Sequence, residues 1–143
     1  MKYREFKHLV EVILTGDIAI SDDDAYLLAA MRYAFETVAM STDVAVLTVT
    51  EEEYQQVKDT REVVRVDLQN KRRTLRPRIP INDDDDIDLD EGVCFTAARL
   101  VASLFSIEKM QYHRDIAMNE LKDYNELLQA MREMELNNEA YSY

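Results

Sequence analysis

Glycine and proline are scarce in this chain of 143 residues: Gly16, Gly92, Pro77 and Pro80 are all there are. An all-β sandwich or barrel needs many tight turns and draws on both residue types, so a helical protein with few turns is favoured. Cys94 is the single cysteine, which excludes an intramolecular disulfide framework and a multi-cysteine zinc site. No apolar run reaches the length of about 18 residues that a membrane-spanning helix needs. Two isolated glycines cannot build a glycine-rich phosphate loop. The first residues carry Glu5 and Glu11 and show no cleavage-site pattern, so they do not read as a secretion signal.

Basic charge is also in short supply. Seventeen Lys and Arg stand against 29 Asp and Glu, a net charge of −12. A free-standing nucleic-acid binder is usually basic, because neutralised phosphates supply most of its affinity. This chain as a whole repels DNA, which suits a DNA mimic or the wall of a channel past which DNA slides. What remains is a chain 47% hydrophobic and 32% charged, composed like a globular protein. One domain of this length buries roughly two thirds of its unfolded surface.

The charge falls into three parts. Residues 1–60 hold 5 basic and 12 acidic groups, residues 61–80 hold 7 and 2, and residues 81–143 hold 5 and 15. The outer parts have helical periodicity. Tyr3, Phe6, Leu9, Val10, Ile13 and Leu14 define one apolar face, with Gly16 as its stop. Ser21 and Asp24 resemble a capping box opening a second helix to about Ala39, and the short loop predicts antiparallel packing over residues 1–40.

The middle, residues 44–80, reads as strands: Val44–Thr50, Glu62–Leu68 and the extended Arg73–Pro80. Thr50 with Glu53 is a second capping box, predicting a short helix over Glu51–Asp59. Gln69-Asn70-Lys71 is a polar turn between strands two and three, which form a hairpin. Pro77 places the third segment at an edge. Residues 81–90 form an acidic linker. Within it Asp88 or Asp90 caps the next helix, Ile87 and Leu89 point inward, and the Asp83–Asp86 run is solvated.

Residues 91–135 again read as a helix pair. Val93, Ala97, Leu100, Val101 and Leu104 lie on one face up to Ser106, which caps a long last helix from Ile107 to about Glu135. Met110, His113, Ala117, Leu121, Tyr124, Leu128 and Met131 make a seam with spacings of three and four, close to a coiled coil. Residues 136–143 have little helical drive and read as an extended tail. The predicted fold class is α+β, mainly α: a bundle of about four helices with an inserted β-hairpin arm and that tail.

Little of this is catalytic. His8 and His113 sit on helix patterns far apart in sequence and read as structural or surface residues. Cys94, beside Val93 and Phe95, reads as a small buried hydrophobe. Asp86, Asp88 and Asp90 before Gly92 look like a calcium loop but fail it: counted from Asp86, position six is Glu91 and position twelve is Ala97, where glycine and a bidentate glutamate are needed. Glu51-Glu52-Glu53 lacks a second acid one turn on, as a metal-dependent helical hydrolase would require. No cofactor and no metal site is expected, and the reading is non-enzymatic.

The basic segment is the feature that calls for a partner. Arg65, Arg72, Arg73, Arg76 and Arg78, with Arg61 and Lys71, put seven of the seventeen basic residues into eighteen positions. A basic arm on an acidic body is self-complementary head to tail, and such contacts close into rings where the rotation allows.

The order of helix pair, β arm, helix pair and tail resembles the head-to-tail connector (adaptor) proteins of tailed bacteriophages. The small-residue helix EGVCFTAARLVASLF (Glu91–Phe105), the break at Ser106 and the helix KMQYHRDIAMNELKDYNELLQAMRE (Lys109–Glu133) carry the likeness. The four-Asp run and the Arg-rich arm fall outside it. The resemblance implies a virion structural protein in the phage neck, made in the host bacterial cytoplasm, with no membrane association. It implies a homo-oligomeric ring, typically of about twelve copies, joining the portal protein to a tail or nozzle component around passing DNA. Carried onto this chain, Arg65, Arg72, Arg73, Arg76 and Arg78 make inter-subunit or tail contacts. Met134, Leu136, Tyr141 and Tyr143 dock on the portal, as Met and Tyr favour interface cores. The alternative is a small acidic helical regulator, such as a DNA mimic that inhibits a nuclease.

Overall fold

The structure, a computed structural model, describes residues 1–15, 25–106 and 108–141, with side chains as far as residue 137. It is an α+β fold, mainly helical, with an antiparallel β-hairpin insert. In chain order it comprises α1 (Tyr3–Ile13), α2 (Ala25–Ser41), β1 (Thr48–Thr50), α3 (Glu51–Val57), β2 (Val63–Asp67), β3 (Arg72–Leu75), α4 (Glu91–Phe105) and α5 (Met110–Tyr141).

Helix α4 is the hub. Val93, Cys94, Ala97, Ala98, Leu100, Val101 and Ala102 are all buried, so the helix is apolar around most of its circumference, as a central helix must be. Its alanines let α1, α2 and α5 approach closely, and each packs along it. The expected antiparallel pairing of α1 with α2 is thus bridged by α4, and Phe6 and Phe35 meet edge to face at 5.4 Å. Core packing on this scale is sensitive to volume: a large-to-small change at Leu100 or Phe35 costs about 2–5 kcal/mol.

Helix α1 has no side-chain cap at its N-terminus. Its orphan donors are met from 80 residues away in sequence: Tyr3 N–H donates to Asp85 O (2.9 Å) and Arg4 N–H to Asp83 O (3.2 Å). Ile87 N–H donates back to Met1 O (2.9 Å). A helix start left without caps must find such partners. At the other end Thr15 takes the left-handed conformation, φ 60°, one residue before the expected stop. Gly16, Ser21 and Asp24, with the capping box assigned to them, lie outside the described residues.

The sheet has the order β1-β3-β2 and is antiparallel throughout. Strand β3 is therefore central, which corrects its expected edge position. The reason is local: β3 ends at Leu75, so Pro77 lies beyond the ladder and leaves no donor missing. Strand β1 is also shorter than expected. Residues 44–47 wrap into a turn instead of a strand, because the Asp90 carboxylate accepts from Ala45 N–H (2.6 Å) and Val46 N–H (3.1 Å). The capping box of α3 forms as expected: Thr50 Oγ1 accepts from Glu53 N–H (3.3 Å), and Glu53 Oε1 from Thr50 N–H (3.1 Å).

The hairpin turn between β2 and β3 is organised by Asp67, which accepts from Asn70 N–H (3.2 Å) and Asn70 Nδ2 (2.8 Å). Those bonds hold the Asp67 carboxyl below its usual range. Ser106 Oγ accepts from Lys109 N–H at 3.3 Å, and α5 starts at Met110. The seam of α5 is buried only in its first half: His113, Ala117 and Leu121 are buried, Tyr124 and Leu128 partly so, while Met110 and Met131 are exposed. The helix also continues to Tyr141, past the Glu135 end expected from sequence. Residues 136–141 are thus helical, not extended. A helix already under way propagates through weak formers such as Asn137 and Asn138 at little cost, since nucleation is the expensive step.

Candidate functional site

The five arginines expected to make contacts, Arg65, Arg72, Arg73, Arg76 and Arg78, separate into two groups. Arg65 pairs with Asp43, Arg73 with Glu51, and Arg76 with Glu62 and with Glu36 (2.8 Å). Arg73 also lies over the Tyr54 ring, 4.2 Å from its centroid. Arg61 joins the same pattern at Asp88 (3.1 Å). These side chains fasten the sheet to α2, α3 and the acidic linker. Arg72 and Arg78, with Lys71 at the turn, are exposed and make no ion pair among the described residues. Arg78 is held through its backbone instead, its N–H donating to Asp88 Oδ2 at 2.9 Å.

At the other predicted surface, Met134 and Leu136 are both 64% exposed. Tyr141 ends α5 with its side chain outside the described residues, and Tyr143 lies outside them altogether. The two surfaces meet. The turn region of the hairpin (Asp67, Asn70, Arg72) and the far end of α5 (Arg132, Glu135, Leu136) flank one groove of about 360 Å³, with Asp43 between them. Asp43 ties both walls together, pairing with Arg65 of β2 and with Arg132 of α5. Asn125 Nδ2 donates to Ser41 O (2.8 Å), which adds a second tie between α5 and the end of α2.

Asp43 and Arg132 are residues that sequence reasoning missed. Nothing in the local pattern marks them, since their pairing spans 89 positions. Asp67 with Asn70 was recoverable, because an Asp three residues before an Asn in a polar turn is an Asx-turn signal. Val66 (52%) and Leu68 (85%) are exposed on the hairpin, and Leu127 (57%) and Met131 (50%) on α5.

The acidic run is not simply solvated as expected. Asp83 pairs with Lys7 (2.6 Å), Asp84 with Arg4 (2.5 Å) and Asp86 with Lys2 (2.9 Å). Asp85 instead accepts from Ile81 N–H and Asn82 N–H (2.9 and 2.8 Å). Those two backbone donors depress the Asp85 carboxyl, and the Lys2 ammonium depresses that of Asp86. Ile87 and Leu89 are buried, each 5% exposed, so the linker is anchored from inside while its carboxylates clasp α1.

The calcium-like string is dispersed in the same way. Asp86 goes to Lys2, Asp88 to Arg61, and Asp90 to the backbone of Ala45 and Val46. Asp90 stands at the N-cap position of α4 yet makes no cap hydrogen bond with its side chain. Among the described residues no three His, Cys, Asp or Glu side chains are placed to hold one metal ion. In the acidic triplet, Glu51 serves Arg73 and Glu53 the capping box. Cys94 is fully buried, with Sγ 3.6 Å from Leu89 O, and burial pushes its thiol up to about 11, far from a reactive thiolate. His8 is exposed and His113 is 5% exposed.

Among the described residues no helix is long and apolar enough to cross a membrane. Compared with models of protein families, with curated proteins and with solved structures, the chain matches none.

Proposed function

We propose that the chain is a non-enzymatic virion structural protein: a head-to-tail adaptor that forms an oligomeric ring, joins a phage portal to the tail and lines the DNA channel. One observation carries the reading. The hairpin turn and the end of α5, the two segments expected to make contacts, lie on either side of a single groove. Arg72 and Lys71 at the hairpin turn, and Arg78 beyond the other end of β3, have no ion-pair partner among the described residues, and neither have Asp123, Glu126 and Glu135 on α5. A neighbouring copy that brings its acidic helix end to this basic turn satisfies both sets, and the exposed Val66, Leu68, Leu127 and Met131 supply apolar area. Where the basic turn of one copy meets the acidic helix of the next through two different faces, the contact is heterologous and closes into a ring where the rotation permits. The net charge of −12 suits a wall that DNA passes without sticking.

The test is mass and shape of the purified chain, alone and with the portal protein of the same genome, by light scattering and negative-stain microscopy. Rings, or a monomer that joins a portal ring, are expected. A compact monomer indifferent to the portal overturns the proposal and moves attention to nuclease inhibition.

A further inference from the structure

A cavity of about 490 Å³ opens where the end of α1 meets α4 and the start of α5. Ile13, Thr15, Arg99, Lys109, Tyr112 and His113 line it. Three of the six are basic side chains and none is a carboxylate, in a chain where acids outnumber bases 29 to 17.

These donors are held in place. Thr96 Oγ1 donates to Glu120 Oε2 at 2.5 Å. The other carboxylate oxygen, Oε1, lies 3.2 Å from Arg99 Nε. That contact is electrostatic only: Nε is buried and its N–H makes no aligned hydrogen bond. Arg99 Nη1 lies 3.4 Å from His113 Nδ1, and the His113 ring packs edge to face on Tyr112 at 5.4 Å. Lys109 is exposed and makes no ion pair among the described residues. Burial first, then the charges of Arg99 and Lys109, hold the His113 imidazole below its ordinary pKa. Among the described residues two carboxylates stand close by: Glu120, behind Arg99, and Glu108, which lines a smaller cavity of about 100 Å³ sharing His113 and Lys109.

We propose that this cavity binds the phosphate group of a small phosphomonoester whose apolar or aromatic body rests on Ile13 and Tyr112. Three convergent nitrogen groups match the three terminal oxygens of a phosphate, and charge-assisted hydrogen bonds of this type are the stronger ones. Arg99 presents a planar fork steadied by Glu120, while Lys109 contributes a mobile point charge. The volume lies in the range of roughly 300–1,000 Å³ usual for small-molecule pockets. The proposal is independent of ring assembly.

Phenyl phosphate is titrated into the full-length protein, followed by calorimetry and by the imidazole ¹⁵N shifts of His113. Inorganic phosphate and benzoate serve as the arms that separate the anion from the body. Saturable binding with a shift at His113 is expected, tighter for phenyl phosphate than for either arm. Lys109→Ala weakens it about tenfold or more, while Lys122→Ala, an exposed lysine elsewhere on α5, leaves it unchanged. Arg99→Gln weakens it further. Should that variant fail to fold through loss of the Glu120 partner, the exposed Lys109 keeps the test decisive. No saturable shift at about 10 mM phenyl phosphate, equal binding of benzoate, or undiminished binding by Lys109→Ala overturns the proposal.

Discussion

Gly92 lies against one edge of the Tyr124 ring: a Cβ at position 92 would stand 3.2 Å from Tyr124 Cε2. Gly92 is in the first turn of α4, where alanine would ordinarily gain up to about 1 kcal/mol over glycine. The ring cannot give way freely, because its hydroxyl reaches toward Asp90 Oδ2 at 3.5 Å. Gly92→Ala therefore gains nothing in the native background, and Gly92→Val costs about 1–3 kcal/mol through overpacking. In a Tyr124→Ala background Gly92→Ala becomes stabilising. A double-mutant cycle by urea denaturation reads this sign change, and additive effects at the two positions would refute the contact.

The acidic clasp on α1 has unequal members. Lys2 and Arg4 keep 40% and 60% of their side-chain surface, while Lys7 keeps 10% and also lies 4.5 Å from the centroid of the Tyr3 ring. Exposed pairs contribute little, so Lys2→Ala and Arg4→Ala each leave stability close to that of the native chain. Lys7→Met, which keeps the apolar stem, costs about 1 kcal/mol, and that loss shrinks at roughly 1 M salt. Chemical denaturation at two salt concentrations checks both statements. Equal losses at all three positions would show that burial does not rank these pairs, and no loss at any of them would leave the linker held by the backbone bridges alone.

What was legible in the sequence is what is local. The capping box at Thr50 and Glu53, the buried face of α4 and the inward Ile87 and Leu89 all follow from spacings of a few residues. The order of the three strands was not legible, because hydrophobic alternation does not say which strand lies between the other two. Nor were the partners of the charges: Lys7 and Asp83 are 76 positions apart, and Arg132 and Asp43 are 89 apart. The sequence marked the basic segment as needing acids, and the structure supplies acids for Arg61, Arg65, Arg73 and Arg76 from the same chain. At the candidate site, the hairpin and the last helix were each visible as separate surfaces. Their convergence on one groove depends on how α5 leaves the core.

Stability falls with pH in two stages. The His113 pKa is lowered in the folded chain, first by burial and then by Arg99 and Lys109, from its ordinary 6.5. Above pH 6.5 the folded and unfolded chains both hold it neutral. Below that the unfolded chain takes up a proton the folded chain resists, so stability declines. Asp67, Asp85 and Asp86 are also depressed, from an ordinary 3.8. Their contribution is present above that value and is lost as pH falls through their folded pKa values. Thermal melts are expected to show a shallow decline beginning near pH 6.5 and a steeper one below pH 4. His113→Gln removes the shallow stage alone. Its persistence in that variant would place the titrating group elsewhere.

Residues 134–137 of α5 are all exposed and lie beyond the Arg132 pair with Asp43. Deletion of residues 134–143 is expected to leave the melting temperature within a few degrees while abolishing portal docking in a pull-down. Undiminished docking would dispose of Met134, Leu136, Tyr141 and Tyr143 as anchors.

The division of the arginines gives the sharpest test of the assembly surface. Arg72 and Arg78 make no ion pair among the described residues, so Arg72→Glu with Arg78→Glu should change stability by no more than about 0.5 kcal/mol and leave the helical far-UV circular dichroism intact. The same pair should block ring formation, because it sets acid against the acidic end of α5 on the neighbouring copy. Arg73 and Arg76 behave in the opposite way. Reversing them brings like charges together at Glu51, Glu36 and Glu62 and removes the stacking of Arg73 on Tyr54. That pair should cost about 1–2 kcal/mol in stability, with any assembly defect following from the loss of fold. Light scattering beside denaturation for the two double variants separates these roles. Normal assembly by the Arg72 and Arg78 variant would remove the hairpin turn from the interface.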